Sequence, residues 1–597
     1  MSVITISSIA LVALVIVFIM MGMWFKRMAT SSEDFLLAGR KAPFWLLASA
    51  YLGGYVGGAS VSGYVSLGYT NGLSGMWTSL FVVSGCVAFI VIFARRLNYF
   101  GRKTGAVTLA DFVCARYGES LRLPVAIVGF MRPGFLTGMQ FLAIAIVINV
   151  VFGLDIKYGV VISAVVVLMY LVTAGQYSAL VTQWIQSILQ SLGITLFALV
   201  TFKLIGNPTQ VVDSMFQALP PAFMNIWTVN FSMFTVWLLT FGVFYLVDPW
   251  IYMWAYIGES PRTSSNGMLA VLGGSYYNVL PFLSGMTIIA AVTLGKIAVP
   301  EGLAGDALYA WFSINQTGTL VGVLIIVGLL MTIISCGSSF AMNGVTILTR
   351  DIYHRVINKK ATDSQVLFAS RMSLVVVVAI GIASALWLPI LVPLWSLAQA
   401  IGISGLLATT LSAWFWKRST TAGAFASTVL GGATAFGWAV YAWLTTGSPG
   451  SLVNGLHAAH VGLLVAIPVM IIVSLATKPE YEKADATNYK TLGEELKSSP
   501  LVKEKVTSPG IFGWLGASTG SWKLFWVIVL GVFGLHYLLA FFFQIQTIGL
   551  SMVWIALIVS VLMIIQLSIM GFKDVVVMVR NFNASHKESA VKTEASK

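Results

Sequence analysis

Charge is what this sequence has least of. Only 9% of its 597 residues are Asp, Glu, Lys or Arg, against roughly 25% in ordinary globular chains. A soluble protein of this length could not cover its surface with so few. Cysteine is scarce too: Cys86, Cys114 and Cys336 lie in or beside apolar runs without metal-ligand spacing, so neither a disulfide framework nor a zinc site is implied. No phosphate-binding loop, metal-ligand cluster or nucleophile elbow is found, which sets aside ATP-driven transport and membrane-bound catalysis. No carbonyl filter motif of a channel is found either. The 34 basic residues outnumber the 21 acidic ones, yet they fall in short segments between apolar runs and form no patch, which argues against a nucleic-acid partner.

What is present is apolar. Hydrophobic residues make up 58% and aromatics 13% of the chain, and the mean hydropathy is +0.90. The solvent for most of it must therefore be lipid. Stretches such as 42–94, 158–202, 307–349 and 419–477 carry no charge at all. A span takes about 20 apolar residues, and dividing the runs at turn residues predicts about fifteen transmembrane helices, an all-α polytopic membrane protein. Of the 34 Lys and Arg, 29 fall in segments on one face if the N-terminus lies outside. The positive-inside rule then makes that face cytoplasmic, with the C-terminus on the same side, in a cell inner or plasma membrane. Residues 478–521 read as a polar linker that leaves the last two spans, over 522–572, as an appendage, and 573–597 as a tail.

Broken helices are the informative places, because unsatisfied backbone at membrane depth survives only where protein or a water-filled cavity replaces lipid. The second span contains Gly53, Gly54, Gly57 and Gly58 within six positions. Two readings are open: an unwound helix, or close helix packing through small-xxx-small spacing. The seventh span contains Asp248-Pro249, the pattern of an N-cap and first helical residue that would start a new half-helix. Pairing the two breaks suggests two five-helix units, 43–205 and 229–416, the second inverted because five is odd. Around them stand an N-terminal helix and linker over 1–42 and two further helices over 420–477. Interrupted spans in corresponding places of inverted halves point to a transporter's central binding site.

Longer motifs accompany the breaks: Ser31 to Arg40 (SSEDFLLAGR), Gly68-Tyr69-Thr70-Asn71-Gly72, Thr108 to Phe112 with Arg116-Tyr117-Gly118, Thr182 to Gln186, and Thr349 to Tyr353. Together, over about 31–416, they resemble the sodium/solute symporter family, nearer its monocarboxylate branch than its sugar branch. The resemblance implies a LeuT-type fold of ten core helices in two inverted repeats, with one helix before them and about four after. It implies cation-coupled symport of a small organic solute, with sodium as coupling ion and no other cofactor. It also implies a sodium site at the positions of Gly53, Val56, Thr332, Ser335 and Cys336. Two departures stand out. Cys336 occupies a hydroxyl position, and a thiol is a poor ligand for a hard cation. Gln183 stands where many sodium-coupled members carry an aspartate. A proton as coupling ion, or support from Ser338 and Ser339, are the alternatives.

Candidate substrate contacts are Ser60 after the glycines and Asp248, Trp250 and Tyr252 at the second break. Asp248 is the one acid deep within a predicted span, and an ionised carboxylate there costs about 2.5–3.5 kcal/mol. It can bind a cationic group, carry a coupling proton or merely cap the half-helix. Tyr245, Tyr252 and Tyr256 also fit as packing residues. Arg132 can meet a substrate carboxylate or pair structurally, and Arg371 snorkels. The competing functional classes are a solute-sensing membrane protein and an uncoupled facilitator; no signalling module is attached.

Overall fold

A chain in lipid must satisfy its amides within itself, and the apolar runs accordingly become helices. The structure is a computed structural model describing residues 3–25, 31–171, 175–270, 275–500 and 546–580. Among them, ten helices are long and apolar enough to cross a membrane, from Ala59–Thr104, interrupted at Gly72 where φ is 59°, to Val553–Arg580; shorter apolar helices are Ile4–Leu14, Ile156–Leu168 and Val279–Thr293. The expected span over 522–545, and residues 501–521 and 581–597, lie outside the described residues.

Helices Gly175–Phe202 and Thr319–Thr346 form the packed centre. They approach closely because glycine meets glycine: a Cβ on Gly193 would lie 2.8 Å from Gly328 Cα. This is the small-residue contact by which membrane helices gain dispersion energy when no hydrophobic effect separates helix from lipid. Helix Phe44–Tyr55 lies against both.

One end of the bundle is tied by ions. Arg122 Nη1 bonds Asp111 Oδ1 at 2.8 Å and Asp351 Oδ1 at 2.9 Å, and the Thr108 hydroxyl donates to Asp351 Oδ1 at 2.8 Å. Burial alone would raise Asp111, but the neighbouring Arg350 and Arg122 guanidiniums outweigh it and hold this carboxyl below its usual range. The motif residues Thr108, Asp111 and Asp351 thus meet although they are far apart in sequence.

Two expectations need correction. Residues 478–500 are not a free linker: Asn488 caps a helix, Tyr489–Ser498, that docks on the bundle. The Arg96 guanidinium lies 3.7 Å from the Tyr489 ring centroid, and Lys103 pairs with Glu495 at 2.8 Å. Nor is the last described helix an appendage. Trp184 Nε1 donates to Leu567 O at 2.8 Å, and Asp574 Oδ2 accepts from the Trp45 amide at 2.7 Å. Asp574 therefore caps helix Phe44–Tyr55, whose own N-cap residue, Pro43, offers no side-chain acceptor. The physical reason is that polar groups spaced along these segments find partners that no local pattern announces.

Candidate functional site at two helix breaks

The first break falls at Val56, extended at φ −96°, ψ 113°; helix Phe44–Tyr55 ends before it and helical geometry resumes at Gly58. None of the four glycines has positive φ. Their role is to lack a side chain. A Cβ would lie 2.5 Å from Ser339 Oγ at Gly54, 2.5 Å from Cys336 Sγ at Gly57 and 2.4 Å from Ala143 Cβ at Gly58. The break and the close packing, alternatives in the sequence, coexist in the structure. The Gly58 amide, freed by the break, donates to Gln140 Oε1 at 2.9 Å.

Oxygen atoms gather on the near side of this break. Ser335 Oγ lies 2.9 Å from both Gly53 O and Thr332 O. Gln183 Nε2 donates weakly to Ser335 O at 3.3 Å and Ser338 Oγ at 3.4 Å. Cys336 sits one residue further along, its Sγ 3.2 Å from Gly54 O. Val56 is at the break itself, fully buried.

The second break is at Asp248, also extended (φ −71°, ψ 117°), with helix Pro249–Ile257 starting behind it. Asp248 Oδ1 accepts from the Trp250 amide at 3.0 Å, so the capping expected from Asp-Pro is present. Its other oxygen does more: Oδ2 lies 3.0 Å from Arg132 Nη1, and both side chains are sealed from solvent. The pair is close without hydrogen-bond alignment, and among the described residues Arg132 Nε also finds no hydrogen-bond partner. Four aromatic rings surround this guanidinium, Phe340 at 4.9 Å, Trp250 at 5.5 Å, Tyr245 at 5.6 Å and Phe244 at 5.7 Å from centroid to Cζ. They can hold a cation by their ring faces.

A narrow cleft joins the breaks, lined among others by Gly57, Ser60, Arg132, Trp250, Phe340 and Trp395. Of the expected substrate contacts, Ser60 and Trp250 line it, and Trp250 is fixed by a 2.8 Å bond from its Nε1 to Ser339 Oγ. Asp248 stands behind Arg132. Tyr252 is not brought to the cleft: it packs on Phe89 and Phe112, and its hydroxyl accepts from Trp414 Nε1 at 2.8 Å. Tyr245, expected to pack, lines the cleft instead. Arg371 is exposed on its helix. Sequence reasoning weighed Arg132 and Asp248 singly and missed their pairing; two opposite charges alone at membrane depth are the signal that could have joined them.

Comparison with known proteins gives the family and the fold in which these breaks lie. The sequence model of the Sodium:solute symporter family matches residues 35–431. The chain is 24% identical over 486 residues to the osmoregulated proline transporter OpuE of Bacillus subtilis (strain 168), covering 78% of this chain and 93% of that one. It is 24% identical over 489 residues to a sodium/proline symporter of Staphylococcus aureus (strain bovine RF122 / ET3-1), covering 78% and 91%. A solved structure of a Na+-coupled sialic acid symporter, substrate-bound and outward-open, superposes with a TM-score of 0.65 at 16% identity, over 79% of this chain and 98% of that one, which supports the LeuT-type fold. With two thirds of its length matched by the family, this chain belongs to the sodium:solute symporter family, as a multi-pass secondary transporter and not an enzyme.

Proposed function

We propose that this protein carries a small carboxylate-bearing solute with sodium, and that Arg132 receives the carboxylate. One observation carries the reading: a buried guanidinium lines the cleft with an unused N–H, ringed by aromatics and balanced by Asp248. Guanidinium and carboxylate match in charge and fork geometry. Asp248 compensates Arg132 while the cleft is empty, and the rings of Trp250, Phe340 and Trp395 offer an apolar wall to the rest of the solute. Relatives named for proline make amino acids the first class to test, beside monocarboxylates.

In this reading the cation binds at the first break, at Gly53, Val56, Thr332 and Ser335, with Cys336 as the doubtful member of the set. The repeats are 43–205 and 229–416, the N-terminus is outside, and the ion-tied end of the bundle is cytoplasmic. Sodium and solute occupy neighbouring breaks, so the ion raises solute affinity by stabilising the same broken-helix arrangement.

The test is uptake of amino acids, monocarboxylates and amines into proteoliposomes under imposed sodium or proton gradients. Accumulation of a carboxylate-bearing solute on a sodium gradient supports the reading. Binding without accumulation on either gradient turns it over in favour of a sensor, equilibration without accumulation in favour of a facilitator, and accumulation of amines alone removes Arg132 from its role.

A further inference from the structure

The inner face of helix Gly175–Phe202 carries Gln183, Ser187, Ser191 and Thr195, each four after the last, with Gln190 three after Ser187, and all are buried. Four-residue spacing stacks side chains on one side of a helix. The small hydroxyls are all satisfied: Ser187 Oγ lies 2.6 Å from Ser49 O and 2.7 Å from Gln183 O, Ser191 Oγ donates to Ser187 O at 2.6 Å, and Thr195 Oγ1 lies 2.7 Å from Ser191 O and also meets the Ser560 hydroxyl. Gln190 is different. Its Oε1 points across to Ser335 Oγ, 3.4 Å away, and its Nε2 finds no hydrogen-bond partner among the described residues.

Ser335 Oγ thus touches three acceptor oxygens, Gly53 O, Thr332 O and Gln190 Oε1, at 2.9, 2.9 and 3.4 Å. A hydroxyl has a single proton and can satisfy one of them well. Thr332 O also has the amide of its own helix, but Gly53 O, next to the break, and Gln190 Oε1 keep lone pairs in a buried region, a placement that a cation would offset. Four neutral oxygens suit a hard cation, whereas the Cys336 sulfur is soft and already lies against Gly54 O.

We propose that Gln190 supplies the ligand that Cys336 cannot, so that its amide oxygen joins those of Gly53, Val56, Thr332 and Ser335 in holding the coupling cation. This rests on the reading that the cation binds at the first break. The set contains no carboxylate or imidazole, so no group in it takes up a proton near neutral pH. It therefore favours an alkali cation over a proton as its occupant, and a single positive charge over a double one, because nothing in it offsets further charge.

The experiment measures the sodium concentration for half-maximal solute uptake, in proteoliposomes of the full chain, for Gln190→Ala, Gln190→Met, Gln190→Glu and Ser335→Ala. A second readout, the sodium-induced rise in Tm in detergent with choline as control, does not depend on transport. Losing one ligand in Gln190→Ala or the similarly sized Gln190→Met is expected to raise half-saturating sodium at least about tenfold. Solute KM at saturating sodium stays the same. Gln190→Glu keeps an oxygen and retains sodium-induced stabilisation, which now weakens as pH falls and the carboxylate takes up a proton. If Ser335→Ala raises half-saturating sodium while both oxygen-deleting Gln190 variants leave it unchanged, Gln190 is no ligand although the site stands. Unchanged sodium dependence in Ser335→Ala as well removes the cation site itself.

Discussion

At the first break, neutral atoms meet neutral atoms: the Ser335 hydroxyl against Gly53 O, the Gly58 amide against the Gln140 amide oxygen. At the second, a carboxylate faces a guanidinium and caps a helix. The same topological device thus presents opposite chemistry. Spare carbonyl lone pairs attract a small hard cation, and a spare guanidinium N–H attracts an anion. The energetics differ as well. A neutral break is sensitive to volume, since every glycine there abuts a neighbour, whereas a charged break is sensitive to the loss of either charge.

This contrast can be pressed from its strongest consequence downward. Asp248→Asn leaves Arg132 buried and unbalanced, for an expected stability loss of about 3–5 kcal/mol; unfolding in denaturant measures it, and the double change with Arg132→Gln should restore part of the loss. A small loss in Asp248→Asn alone would mean that the charge is not held as a pair. Arg132→Ala should cut uptake kcat/KM by about a hundredfold or more, the worth of a charge-assisted hydrogen bond or two. Wild-type uptake in that variant would reduce the second break to a structural role.

Gly58→Ala addresses the first break. Its new methyl would lie 2.4 Å from Ala143 Cβ, and such overpacking typically costs about 1–3 kcal/mol, visible as a lower Tm without a change in pH dependence. An unchanged Tm would show that the neighbouring helix yields freely. Smallest is Tyr252→Phe, which removes the bond from Trp414, worth about 1 kcal/mol. Sodium and solute dependence should remain as in the wild type, and a shifted solute KM would return Tyr252 to the cleft.

How much of this could be read from the chain alone follows the same division. The breaks were legible because glycine and Asp-Pro act locally on the backbone. The family motifs were legible because they are contiguous, yet only the fold shows that Thr108 and Asp111 meet Asp351. Pairings across the sequence were not: Arg132 with Asp248, Gln190 with Ser335 and Asp574 with Trp45 have no sequence neighbours in common. A polar row at helical spacing, as in 183–195, does announce that a membrane helix faces protein. It does not say which of its members will reach across to another helix instead of to its own backbone. Tyr252 erred in the other direction, since nearness to a break in sequence said nothing of the direction its side chain takes from the helix.

The contact between Asp574 and the Trp45 amide also has a consequence for how the molecule is made. The two residues are 529 positions apart. At translation rates of about 5–20 residues per second, the ribosome needs roughly half a minute to two minutes to travel from one to the other. Throughout that interval the half-helix bearing Gly53 lies in or at the membrane with its first amides uncapped by this carboxylate. The first broken element of the core is thus completed by a helix inserted long after it, and biogenesis of the transport core is tied to a carboxylate 529 positions downstream.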